Sequence, residues 1–328
     1  MTDDALNTGK PPLIIIGGPT ACGKTAVSVA LAKKINSGII SADSVQVYRH
    51  MDIGSAKVTK DEMQGIIHYL IDIKDPDEDF DVTEFVRLAK EAALKCKENA
   101  CVPVIAGGTA FYVQALIKDI DFEEEIIDEK YRDKLNEIAE EKGADALINE
   151  LSITDPVSAD SIDPKNTKRI IRALEFYKNN GYPISEHNAN MRKKEPAFNY
   201  IYFVLTGDRK EIYERINRRV DEMIKDGLVD EVKALRERGY GACLKSMKSL
   251  GYAQINDYLD GKYDLDEAIR LIKRDTRHFA KRQLTWYRNE NMAYGLRTTE
   301  INSGDFDYDP DNISDYMIEI CKEKGMLQ

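Results

Sequence analysis

The first third of the chain alternates short, unbroken apolar runs with stretches of helical spacing. LIII (13–16) is the first run. After it, Val27, Val29, Ala30, Leu31 and Ile35 recur with a helical period over 23–35. GIISA (38–42) predicts a second strand, and CVPVIA (101–106) a third. Between them 83–99 predicts a helix with Thr83 as its N-cap. GGT and a short helix, FYVQALIK, follow the third strand. Strand and helix in alternation imply βαβ units and a parallel sheet.

The pattern then changes. From about 123 to 195 the periodicity is helical throughout, with polar joints at TDP and SIDPKN. YIYFVLTGD (200–208) returns to a strand pattern, and the remainder is helical, including a long helix over 264–288. The expected architecture is therefore α/β: a parallel sheet flanked by helices, of the P-loop NTPase-like kind given the run GPTACGKT (18–25) between the first strand and its helix, with an all-helical insertion. The core is assigned to 11–122 and 196–300, the insertion to 123–195, and a C-terminal tail to 301–328. In the tail, SGDFDYDPDN reads as a loose linker before a final short helix.

Composition narrows the function classes. The 328 residues hold 42% hydrophobic and 32% charged positions, as in a globular domain with ample core. No apolar run approaches the roughly 20 residues of a membrane span. The start, MTDDALNTGK, has no signal-peptide core. A cytoplasmic, membrane-free monomer is expected. Five scattered cysteines form no CxxC pair, which gives a zinc ribbon no support. The net charge of −11 argues against a nucleic-acid partner. Its distribution does not: Arg270, Lys273, Arg274, Arg277, Lys281, Arg282 and Arg288 crowd one helix, and Lys165, Lys168, Arg169 and Arg172 form a second cluster. The acids concentrate in stretches such as DPDEDFD (75–81) and DFEEEIIDE (121–129), read as solvated loops or helix starts.

One motif carries chemistry by itself. Gly18, Pro19, Thr20, Ala21, Cys22, Gly23, Lys24 and Thr25 satisfy GxxxxGK[ST], after a strand and opening a helix. Glycines let backbone N–H groups turn inward, and the helix N-terminus adds positive potential. Lys24 brings a full charge; the Thr25 hydroxyl can bind Mg²⁺ or a phosphate oxygen. Cys22 reads as small filler. The loop does not say whose phosphate it holds. No NKxD guanine-reading motif is present, and the nearest match to a Walker B strand, ending at Asp72, reads equally as plain strand.

Other candidates converge on the same sheet edge, where ligands of open parallel sheets sit. Asp43 and Ser44 end the second strand; a carboxylate there can bind a metal, accept a proton, or merely cap a turn. Gln46 can read an adenine, and Tyr48 can stack on a base; both, like Arg49, could equally be surface residues. Gly107, Gly108 and Thr109 end the third strand. Arg215, Arg218 and Arg219 lie on a later helix, where one could clamp a diphosphate and the others would be solvated.

Together these stretches resemble the tRNA dimethylallyltransferase family. The resemblance rests on GPTACGKT (18–25), ISADSVQVYRHMDIGSAK (40–57), HYLIDI (68–73), GGTAFY (107–112), KRIIRALE (168–175), RINRRVDEMIKDGLVDEV (215–232), KSLGY (248–252) and AKRQLTWYR (280–288). They run in order over nearly the whole chain. Ala110 and Phe111 stand where the family usually shows Gly-Leu, and Cys22 where Ser is frequent. No paired Cys/His set follows AKRQLTWYR, so the likeness is to bacterial members without the zinc finger of eukaryotic ones.

The resemblance implies a reaction: a dimethylallyl group moves from dimethylallyl diphosphate to N6 of the adenosine 3′ of a tRNA anticodon, in tRNAs reading codons that begin with U. It implies Mg²⁺, with Thr25 as a ligand, and catalytic roles for Asp43, Thr25 and Arg219. It implies tRNA contacts at Asp43, Ser44, Val45, Gln46 and Thr109, and at Arg132, Lys168, Arg169, Ile170, Ile171 and Arg172. The insertion would then grip the anticodon stem, and the cluster at 273–282 could add phosphate contacts. Three rivals stay open: a P-loop small-molecule kinase, an enzyme prenylating free AMP, ADP or ATP, and a non-catalytic nucleotide-gated RNA-binding module.

Overall fold

The computed structural model describes residues 9–120 and 128–328, the side chain of residue 290 apart. Most of 121–129 and the proposed 122/123 boundary therefore lie outside the described residues, as do the first eight positions. In order come β1 (Pro12–Gly17), α1 (Lys24–Lys34), β2 (Ile39–Ser41), α2 (Lys60–Met63), β3 (His68–Tyr69), α3 (Val82–Glu98), β4 (Val104–Ala106) and α4 (Ala110–Lys118). Five helices follow: α5 (Glu129–Lys142), α6 (Ala144–Thr154), α7 (Pro156–Ser161), α8 (Thr167–Asn180) and α9 (Ile184–Lys193). The chain resumes with β5 (Asn199–Thr206), α10 (Arg209–Lys225), α11 (Leu228–Glu237), α12 (Tyr252–Leu259), α13 (Leu265–Ala293), β6 (Thr299–Asn302) and α14 (Pro310–Glu323).

The chain forms two compact units. One runs to Asp119 and resumes at Pro196; the other extends from Ile120 to Glu195.

The first unit is built on a six-stranded sheet in the order β3-β2-β4-β1-β5-β6, with every pairing parallel. β1 is central, pairing Ile14 with Val104 on one side and with Ile201 on the other. Helices cover both faces, so its residues are apolar without alternation and Leu13 to Ile16 are fully buried. Among the described residues, no helix is long and apolar enough to cross a membrane.

Two expectations are corrected. Residues 301–328 are no separate tail. β6 adds Ile301 opposite Leu205 at the sheet edge, and Ile313, Met317 and Cys321 of α14 join the core beneath α1. Lys34 of α1 also pairs with Asp315 of α14 at 2.7 Å. The stretch read as a loose linker is a tight 3₁₀ turn over Ser303–Phe306, started by the Asn302 side chain. Likewise, α3 is capped by Asp81 rather than Thr83. The Asp81 carboxylate accepts from the Glu84 N–H at 3.0 Å, which starts the helix at Val82.

The second unit is helical throughout its described residues. Leu135, Leu147, Leu151, Ile170, Ile171 and Leu174 form its core. A buried Asp155 accepts from the backbone N–H and hydroxyl of both Ser158 and Ser185, which ties α7 to α9.

A candidate active site at the phosphate-binding loop

The loop 18–25 joins β1 to α1 at the carboxyl edge of the sheet. Gly18 has φ of 140°, and a Cβ there would lie 2.4 Å from the Leu205 carbonyl oxygen, so only glycine lets the loop leave β1 against β5. Cys22 is fully buried, as filler should be, and its carbonyl accepts from the Ser303 hydroxyl at 3.2 Å. The Lys24 ammonium lies over the loop, donating to the carbonyls of Gly18 at 3.0 Å and Pro19 at 2.7 Å.

Two arginines reach the loop from α10. Ile212 and Ile216 pack with Ala21 and with Ala280 of α13. That packing turns Arg215 and Arg219, one helical turn apart, toward the loop. Arg215 Nε donates to the Ala21 carbonyl at 2.8 Å, and Arg219 Nη1 stands 3.5 Å from Thr20 Oγ1. Burial lowers the Arg219 pKa below its ordinary value. A guanidinium stays protonated even so, and one partly buried beside a phosphate loop is poised for an anion. Arg218 points off this face and is exposed.

Across the same cleft lie the ends of β2 and β4. Asp43 Oδ1 accepts from the N–H of Val45 at 2.9 Å and Gln46 at 3.2 Å, so the carboxylate shapes its own turn. The Gln46 amide donates to the carbonyls of Ser55 and Ala56 at 3.4 and 3.1 Å. Thr109 starts α4 without a side-chain cap, and its N–H bonds the Ala42 carbonyl at 3.1 Å, beside Asp43. Lys24, Thr25, Asp43, Thr109 and Arg219 all line one cleft of about 1260 Å³ within the first unit.

Gln283 is the residue that sequence reasoning missed. It sits on the buried stripe of α13, only 6% exposed. Its Oε1 accepts from the Thr20 N–H and its Nε2 donates to the Gly108 carbonyl, both at 2.9 Å. One side chain therefore ties the phosphate loop to the GGT turn. The available signal was a polar residue between Ala280 and Tyr287 on an otherwise core-facing stripe. Gln283→Ala leaves both partners without it, and is expected to lower stability by about 1–3 kcal/mol in urea unfolding. An unchanged midpoint would show that water replaces the bridge at no cost.

Other candidates have structural partners. Asp72 accepts from the buried Lys57 at 2.6 Å, Arg49 pairs with Asp75 at 3.0 Å, and Tyr48 is buried. On α13, Lys273 pairs with Asp221 and Arg274 with Asp275, whereas Lys281, Arg282 and Arg288 are exposed.

In the second unit, Lys168, Arg169 and Arg172 are exposed on α8. Ile170 and Ile171 are buried in that unit's core, which corrects their assignment as side-chain contacts: the α8 face that carries them packs on α5 and α6. Arg132 is engaged by Glu175 through two bonds of 2.7 and 2.9 Å.

Comparison with known proteins agrees with this geometry. The family model described as IPP transferase matches residues 46–290. The tRNA dimethylallyltransferase of Lachnoclostridium phytofermentans is 50% identical over 317 residues, 97% of this chain and 99% of that one. The crystal structure of a full-length tRNA isopentenylpyrophosphate transferase from Bacillus halodurans is similar with a TM-score of 0.69 at 42% identity, covering 96% and 98% of the two chains. A eukaryotic dimethylallyltransferase crystallised acting on tRNA gives a TM-score of 0.76 at 26% identity, covering 89% and 74%. The chain belongs to the tRNA dimethylallyltransferase family, the IPP transferases, and is an enzyme of the transferase class.

Proposed function

We propose that the protein transfers a dimethylallyl group from dimethylallyl diphosphate to N6 of the adenosine 3′ of the anticodon, in tRNAs reading codons that begin with U. The observation that carries the reading is the opposition of charges in one cleft. Lys24, Arg215 and Arg219 gather at the phosphate loop, and Asp43, just past the end of β2, lines the same cleft. An allylic C–O bond breaks readily because the departing carbon spreads its positive charge. The electron pair goes to the diphosphate, whose growing charge the loop N–H groups, Lys24 and Arg219 stabilise. The adenine N6 forms the new bond to carbon and gives up one proton, which Asp43 accepts. Thr109 and Gln46 orient the base, which leaves its stack to enter the cleft.

Among the described residues no group of three His, Cys, Asp or Glu side chains could cage a metal ion. The donor beside the loop is the exposed Thr25 hydroxyl. That set fits Mg²⁺, which takes most of its ligands from diphosphate oxygens and water. Held by Thr25, Mg²⁺ would neutralise charge on the leaving diphosphate.

The helical unit, residues 123–195 in this reading, serves the tRNA. Its exposed Lys168, Arg169 and Arg172 are suited to stem phosphates. Neutralising all three is expected to weaken tRNA binding and to flatten its salt dependence by about 0.7–0.9 in log–log slope per lost contact. An unaltered slope would place those residues off the RNA.

The deciding experiment supplies purified protein and unmodified tRNA with radiolabelled dimethylallyl diphosphate and Mg²⁺, and in parallel with γ-labelled ATP. Label entering tRNA from the allylic donor alone is the expected result. Label moving only from ATP, or ATP hydrolysis alone, would replace this reading with the kinase one. Transfer to free AMP but not to tRNA would identify a nucleotide prenyltransferase.

A further inference from the structure

Glu231 lies on α11, outside the loop and the strand ends, yet its carboxylate makes four hydrogen bonds. Oε2 accepts from the backbone N–H of Asp52 at 2.9 Å and Ile53 at 2.7 Å; Oε1 accepts from the Gly54 N–H at 3.1 Å and the Tyr252 hydroxyl at 2.7 Å. Three successive N–H groups converging on one carboxylate form an anion nest, filled here by a side chain of the same protein. The contact is close by construction. A Cβ on residue 54 would fall 2.5 Å from the ring of Tyr252, which is fully buried.

What the carboxylate grips is the start of the turn 52–56. The end of that turn presents the Ser55 and Ala56 carbonyls to the Gln46 amide, and the Gln46 N–H bonds Asp43. Lys57 closes the turn from the other side, donating to Asp52 Oδ1 at 2.5 Å and to the Tyr48 carbonyl at 2.7 Å. The chain of contacts runs from Glu231 through the turn to Gln46 and Asp43, and it does not pass through the phosphate loop.

We infer that Glu231 is a positioning residue for the acceptor side of the cleft: it fixes the turn 52–56, and through it the Gln46 and Asp43 groups that meet the nucleobase. The inference rests on the proposed function, since it takes Gln46 and Asp43 to face adenine. Charge-assisted bonds of this kind hold geometry tightly. In Glu231→Gln the new amide NH₂ would face backbone N–H groups, and the turn must shift.

The test is a double-mutant cycle on the full chain, with tRNA and dimethylallyl diphosphate as substrates. Glu231→Gln is expected to lower kcat/KM for tRNA by about 10²-fold, the scale of an ångström-sized misplacement. The KM for dimethylallyl diphosphate should stay within about threefold, because the loop contacts are independent of the turn. In a Gln46→Ala background the same substitution should cost less than about threefold, since the side chain that links the turn to the Asp43 end of the cleft is gone. A full second loss in that background, or a rise in KM confined to the diphosphate, overturns the inference. If Glu231→Gln does not fold, Tyr252→Phe removes one of the four bonds. It should give a smaller loss in the same parameter, again absent with Gln46→Ala, and an undiminished loss there overturns the inference equally. Failure of the unsubstituted protein to prenylate tRNA would instead remove the proposed function, before the cycle is read.

Discussion

Replacing Arg219 with alanine is expected to slow prenyl transfer by about 10³–10⁵-fold, the range for an arginine that stabilises charge on a transferring phosphoryl group. The reason lies in where the guanidinium stands. It is held beside Thr20 of the phosphate loop and is partly buried there, so an arriving diphosphate gains an attraction less screened than at an open surface. The charge on that diphosphate grows as the allylic bond breaks, so the loss should fall on kcat rather than on tRNA affinity. Single-turnover rates with saturating tRNA and donor would measure it. Lysine should recover little, because a point charge on a flexible stem does not reproduce a planar fork. A loss below tenfold would move the role to Arg215, whose Nε bond to Ala21 already fixes it on the loop.

The second large effect is at Asp43, where a general base is worth about 10²–10⁴-fold. Asp43→Ala should lose that much turnover while keeping tRNA affinity within a few-fold. Alanine alone leaves an ambiguity, because Asp43 also accepts the Val45 and Gln46 N–H groups and so shapes its own turn. Asp43→Asn separates the two roles: its amide oxygen can keep the turn, but it takes no proton. Turnover as low as in the alanine variant is the expected outcome. An asparagine variant that works nearly as well as the unsubstituted enzyme would reduce Asp43 to a turn former.

Much of this was legible in the sequence because it is local. The loop at 18–25 is contiguous, and β1, β2, β4 and β5 are apolar runs buried on both faces. β6 escaped for the opposite reason, and β3 is shorter than the strand expected to end at Asp72. His68–Tyr69 is two residues long, and Thr299–Asn302 is polar at three of its four positions at a sheet edge, so neither imprints a full strand pattern. Long-range convergence was illegible too. By spacing alone Arg215 and Arg219 are two of several cations, and only the docking of Ile212 and Ile216 on Ala21 shows why both reach the loop. Gln283 lies 263 positions from Thr20, and no periodicity announces their bond. Ile170 and Ile171 were misplaced because a motif was carried over whole, although adjacent helical residues need not share the outward face.

The place of β6 bears on how the enzyme is made. β1 is translated early, but the sheet that supports its loop is finished only when Asn302 aligns with Thr206 and Ser303 bonds the Cys22 carbonyl. At about 5–20 residues per second, roughly 15–60 s of synthesis separate the emergence of Gly17 from that of Asn302. For about the last third of that interval, after Thr206 has emerged, the open edge is that of β5, an apolar strand and a natural client for a holding chaperone. A message cut short before β6 would yield a chain that bears every motif and still lacks the edge strand on which its loop's support depends.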